Sequence, residues 1–141
     1  LVFWGRGPER RRLMRRSDPR VSFSEGPVEH VEAALLAASV AGLLLDPRLP
    51  YHQLNLPVKT FEYLSAGCPM ITTAGTHAGD LVARAGAGIA TAYDPPAVAV
   101  AIEMLLTDPA RASACRERAV ALVREHHGWE HRARRILQEV P

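Results

Sequence analysis

The sequence predicts an α/β protein: a Rossmann-like parallel sheet with helices on both faces. Three observations carry this. Short apolar runs alternate with helical segments, the pattern that βαβ crossovers leave in a chain. The run Val40-Ala41-Gly42-Leu43-Leu44-Leu45 is apolar without alternation, as in a strand buried on both sides. Breaks such as Gly5-Arg6-Gly7-Pro8, Gly67 with Pro69, and Asp108-Pro109 separate the segments.

Residues 1–4, Leu-Val-Phe-Trp, read as a buried strand, and the turn at residues 5–8 leads into the basic helix Arg10-Arg11-Arg12-Leu13-Met14-Arg15-Arg16. A short strand at 20–23 and a helix at 28–38 follow, with Pro27 near the helix start. Residues 40–45 are the apolar strand and 46–56 a loop. Pro57 fits a first helical position, where a missing N–H costs nothing, and Asn55 is a nearby cap, so a helix is predicted over 57–66. Gly67 ends it in the left-handed conformation and Pro69 prevents its resumption. Met70-Ile71-Thr72-Thr73 is a strand, 74–79 a loop, 80–85 a short helix stopped by Gly86, and 88–92 the last strand. Beyond Pro95 the chain is helical over 96–106, 109–126 and 129–140.

Ligands of such sheets bind beyond the carboxyl ends of the strands. The turns at 5–8 and 74–79 and the loop at 46–56 fall there, and the helix opened by Pro57 follows that loop directly.

A chain of 141 residues, 48% of them hydrophobic, fits one domain with a real core. No apolar run is long enough to predict a membrane-spanning helix. Cys68 and Cys115 are too far apart for a disulfide framework or a zinc pattern, and a reducing compartment suits them. A net charge of +2 points to no partner. The charge is concentrated in the helix at 10–16, which is either a solvated face or a surface for anionic headgroups or phosphate. No aromatic residues interleave with its arginines, which argues against nucleic acid. The chain opens on Leu1 inside a strand, so it is expected to be a piece of a longer protein.

Several chemistries lack their residues. Gly5-x-Gly7 has no third glycine, position 10 being Arg, and no acidic residue follows where a dinucleotide fold places one. His127 and His131 have metal-ligand spacing, but Gly128 lies between them and favours a polar helix end. Trp129 is expected to pack the last helix onto the body, and Cys68 to be a small buried residue.

Lys59 and Glu62 are three apart and share one helical face. Of the 17 Lys and Arg residues, Lys59 is the only lysine. The pair is either a surface ion pair worth less than ~1 kcal/mol or part of an anion site. In the second case the free N–H groups near Val58, Lys59 and Thr60, with the Lys59 ammonium, would hold a diphosphate. Glu62 would accept two hydrogen bonds from a vicinal diol such as ribose.

The segment Pro57-Val-Lys-Thr-Phe-Glu-Tyr-Leu-Ser-Ala-Gly-Cys-Pro69 resembles the donor-site segment of group 1 (family 4 type) glycosyltransferases with the GT-B fold. The flanks agree in order and spacing: Leu1-Val-Phe-Trp-Gly-Arg-Gly-Pro-Glu, Arg20-Val-Ser-Phe, Ala85-Gly-Ala-Gly-Ile-Ala and His127-Gly-Trp-Glu. The resemblance covers nearly the whole chain. It implies the C-terminal, donor-binding half of a two-domain enzyme, spanning residues 1–141 as a single domain, with its first strand and the N-terminal acceptor domain missing. It implies that Glu62 contacts the donor ribose, that Lys59 lies near the diphosphate beside Val58 and Thr60, and that Ser24-Glu25-Gly26-Pro27-Val28 borders the nucleobase. It further implies retaining transfer from a nucleotide-diphosphate sugar to a glycan or lipid-linked acceptor, without metal or other cofactor. Positive groups and helix N-termini would stabilise the departing diphosphate. The setting implied is cytoplasmic, with peripheral contact at the inner membrane face. The family's earlier glutamate, eight residues before Glu62, is Leu54 here. Its diphosphate-binding Arg and Lys would precede residue 1, so no catalytic residue is assigned and the isolated chain is expected to be silent. The alternatives are a non-catalytic nucleotide-sugar-binding module or a fragment of a GT-B-type epimerase. Lys59 and Glu62 favour donor binding over a bare scaffold.

Overall fold

The computed structural model describes residues 1–16, 18–26 and 28–139. Pro27, within the expected nucleobase loop, and Val140, in the expected last helix, lie outside them. In chain order the elements are β1 (Val2–Trp4), α1 (Arg10–Arg16), β2 (Ser22–Ser24), α2 (Val28–Ala37), β3 (Ala41–Leu43), α3 (Pro50–Leu54), α4 (Val58–Ser65), β4 (Met70–Thr73), α5 (His77–Ala85), β5 (Gly88–Thr91), α6 (Pro95–Thr107), α7 (Pro109–Leu122), a π-helical turn (Val123–His127) and α8 (Trp129–Glu139). The strands form two sheets, β1-β2 and β3-β4-β5, and every pairing among the described residues is parallel.

The chain divides into two compact units, Leu1–Ala34 and Leu35–Pro141, the division falling within α2. In the first, Phe3 pairs with Phe23 across β1 and β2, and their rings stack with centroids 5.3 Å apart. The amide of Gly5 donates to the Ser24 carbonyl at 2.9 Å, extending the pairing beyond the strands.

In the second unit β4 is the central strand and is buried along its whole length. Successive strand residues face opposite sides, so Met70 and Ile71 seed two cores. Met70 packs with Leu64 of α4, Val82 of α5, Ala87 and Ala119. Ile71 packs with Ala101 and Leu105 of α6 and Cys115 of α7. The sheet is therefore covered on both faces, as the sequence predicts. Gly88 is needed where β5 meets β4, because a Cβ there would collide with the Met70 carbonyl.

Local features differ from the sequence expectation: Leu1, Val2 and Phe3, expected in a buried strand, are exposed, and the helix expected over 109–126 ends at Leu122, where the π-helical turn takes over. The loop expected at 46–56 contains α3, a five-residue helix opened by Pro50. Asn55 closes α3 as its C-cap and does not cap α4; the N-cap of α4 is Pro57, in extended conformation. Helix α5 starts at His77, ahead of the expected Asp80, because Thr76 Oγ1 accepts from the Gly79 amide at 3.0 Å. No helix among the described residues is long and apolar enough to cross a membrane.

Candidate functional site

Helix α4 presents the residues singled out in the sequence. Pro57 offers its first turn no side-chain oxygen, and no side-chain cap is formed. The Thr60 amide turns back onto the Pro57 carbonyl at 2.9 Å. The amides of Val58 and Lys59 have no acceptor within the helix, since the residues four before them lie outside it. This end of the helix carries partial positive charge. Thr60 and Leu64, one turn apart, are fully buried and anchor the inner side. Val58, Lys59 and Glu62 are exposed. Among the described residues Lys59 and Glu62 enter no ion pair with each other or with anything else. The Thr60 hydroxyl is buried without a hydrogen-bond partner among the described residues.

The far end of α4 is fixed by a Schellman closure. Gly67 has φ +66°, its amide donates to the Leu64 carbonyl at 3.0 Å, and the Cys68 amide reaches the Tyr63 carbonyl at 3.0 Å. Burial, and then the neighbouring Glu62 carboxylate, push the Tyr63 phenol up from its ordinary value.

The segment leading into α4 is tied down at the carboxyl edge of the sheet. Arg48 Nε and Nη2 donate to the two Asp46 carboxylate oxygens at 2.8 and 2.7 Å. The Arg48 side chain, then its amide, bring the Asp46 carboxyl down to about 2. The Leu45 amide donates to Thr73 Oγ1 at 3.1 Å, and His77 Nδ1 lies 3.3 Å from the Leu54 carbonyl oxygen. Sequence reasoning missed this clamp, although Asp46-Pro-Arg48 carries the two-residue spacing of an Asx turn. It also missed an apolar cleft of about 460 Å³ lined by Leu44, Tyr93, Pro95, Val98 and Ile102.

The expected nucleobase residues belong to the first unit. Ser24 ends β2, Gly26 lies exposed close to Trp4 and His30, and Val28 opens α2. Val58, Lys59, Thr60 and Glu62 stand together on α4 in the second unit. His127 and His131 do not converge: the His127 ring lies 5.0 Å from that of Phe61, and His131 Nε2 lies 3.1 Å from the Arg124 carbonyl oxygen. No group of three or more His, Cys, Asp or Glu among the described residues is placed to hold a metal ion. Trp129, expected to pack inward, is exposed.

Parallel sheets flanked by helices over nearly the whole chain match the fold of a GT-B glycosyltransferase. The chain belongs to the glycosyl transferase-like family, whose profile matches residues 5–138. Among solved structures it is similar to sucrose-phosphate synthase from Thermosynechococcus elongatus, with 25% identity and a TM-score of 0.81. That likeness covers 98% of this chain and 37% of the synthase. No curated protein matches the chain in sequence.

Proposed function

We propose that this chain is the donor-binding part of a retaining glycosyltransferase that moves a hexose or amino sugar from a nucleotide-diphosphate sugar to a glycan or lipid-linked acceptor. The observation that carries the reading is the uncapped first turn of α4, with Lys59 and Glu62 exposed beside it and in no ion pair among the described residues. The amides of Val58 and Lys59 and the Lys59 ammonium bind the diphosphate. Glu62, one turn on, accepts hydrogen bonds from both ribose hydroxyls.

In the transfer the bond from the anomeric carbon to the diphosphate oxygen breaks, and its electron pair stays with the diphosphate. Lys59 and the helix end stabilise that growing charge, and the reading invokes no metal ion. The acceptor hydroxyl oxygen bonds to the anomeric carbon and gives up its proton; the acceptor site and the group that takes the proton lie in the rest of the enzyme, this chain spanning 37% of the synthase it resembles. This chain alone therefore binds donor without turning it over. The full enzyme works in the cytoplasm, and α1 gives it a basic face for peripheral membrane contact.

Calorimetric titration with UDP, GDP and ADP tests the reading. One nucleotide binds selectively, and Glu62→Ala weakens it by about 1–3 kcal/mol through lost charge-assisted hydrogen bonds. An unchanged dissociation constant in that variant removes Glu62 from the ribose, and a folded chain that binds none of the three removes donor binding from this chain.

A further inference from the structure

Helix α8 sits on the second unit with its polar side inward. Trp129, Ile136 and Leu137, at positions i, i+7 and i+8 of one stripe, are 84%, 62% and 77% exposed. No residue of α8 is buried. The burial of an apolar face that holds most surface helices is missing here. Two polar contacts tie α8 to the rest of the unit among the described residues. His131 meets the Arg124 carbonyl in the π-helical turn, and the Arg132 guanidinium lies over the Phe61 ring, 4.8 Å from its centroid.

Phe61 stands on α4 between Thr60 and Glu62, and its ring also meets that of His127, tilted by 38°. One aromatic ring is thus shared by the π-helical turn, by α8 and by the helix that carries Lys59 and Glu62. The inward anchors Thr60 and Leu64 hold α4 against the sheet. A side chain gripped on the helix flank resists a different motion, rotation about the helix axis. Such a rotation would swing Lys59 and Glu62 together, because all three residues ride on one rigid element.

We propose that Phe61 is a positioning residue: held by Arg132 and His127, it couples the seating of α8 to the order of α4. The coupling is a property of the fold; its consequence for ligand binding rests on the donor-site reading of α4.

Native-state hydrogen exchange on the full chain tests it with Arg132→Gln, Arg132→Lys and Phe61→Leu. Arg132 is exposed on α8, so its replacement leaves the core intact. Loss of an exposed cation–π contact is expected to speed exchange roughly two- to fivefold. In Arg132→Gln that acceleration appears in α8 and also in the amides of residues 61–65, while β4 and α5 stay protected. Arg132→Lys keeps a cation over the ring and restores protection in both helices, and Phe61→Leu loosens α8 from the other side. If Arg132→Gln loosens α8 alone, if Lys fails to restore α4, or if Phe61→Leu leaves α8 unchanged, the coupling is overturned. Nucleotide titration of Arg132→Gln separates the two claims: α4 loosened with nucleotide affinity unchanged counts against the donor reading and leaves the coupling standing.

Discussion

Lys59 and Glu62 share the exposed side of α4, and among the described residues no ion pair neutralises either. A phosphate-binding Lys59 carries a specific signature. Lys59→Ala weakens the nucleoside diphosphate more than the matching nucleoside, and equal losses in the two titrations would remove the phosphate role. The pair was legible in the sequence because helix geometry alone places residues three apart on one face. The contact between Phe61 and Arg132 was not, since it joins residues distant in the chain through the packing of three elements. His127 sits at that junction. Burial first, then the Arg132 guanidinium on α8 and the neighbouring His126, push its imidazole down from 6.5, with the Phe61 ring of α4 against it. A base whose folded value is lowered takes up its proton more readily when unfolded, so stability falls as pH drops below about 6.5. Urea midpoints at pH 7.5 and 5.5 should differ more in the wild type than in His127→Gln; equal differences would mean that His127 does not report folding.

Among the elements, α4 is bounded by chemistry a sequence displays: Pro57 before it, and Gly67 and Pro69 after it. Gly67→Val forces a β-branched side chain into the left-handed region, where its Cβ would stand 3.1 Å from atoms of Arg116 and Val120. A loss of about 1–3 kcal/mol is expected, read from a urea melt; a variant as stable as the wild type would mean the closure is not needed. Helix α3 escaped because five residues carry too little periodicity to register. The start of α5 escaped because Gly79 reads as a loop residue. In the fold it is a helical position, where any Cβ would collide with the Thr73 carbonyl. Helix α1 keeps its ambiguity. Arg12 pairs with Glu9, whereas Arg11, Arg15 and Arg16 form no ion pair among the described residues. If α1 meets headgroups, the chain co-sediments with anionic vesicles and not with neutral ones, and replacing these three arginines with glutamine abolishes it. Indifference to vesicle charge would make α1 a solvated face.

For the whole molecule, the fold class was legible because βαβ alternation is a property of the entire chain and survives errors at single boundaries. The seating of α8 was not, because Trp129 reads as a packing residue and only the tertiary structure turns it outward. The chain spans 37% of the synthase it resembles, and the proposed division of labour predicts binding without turnover. Sugar transfer or donor hydrolysis by this chain alone, followed by product release, would place the missing chemistry within it. A last consequence follows from the two thiols. Cys68 precedes β4 and Cys115 lies on α7; both are buried, and burial pushes both above the ordinary thiol value. A thiol that stays protonated and covered is a poor nucleophile, so iodoacetamide should leave the native chain unmarked until its interior is exposed. Two mass increments arriving at one rate would reveal a single cooperative event, and two separate rates would show that the regions around these residues open independently.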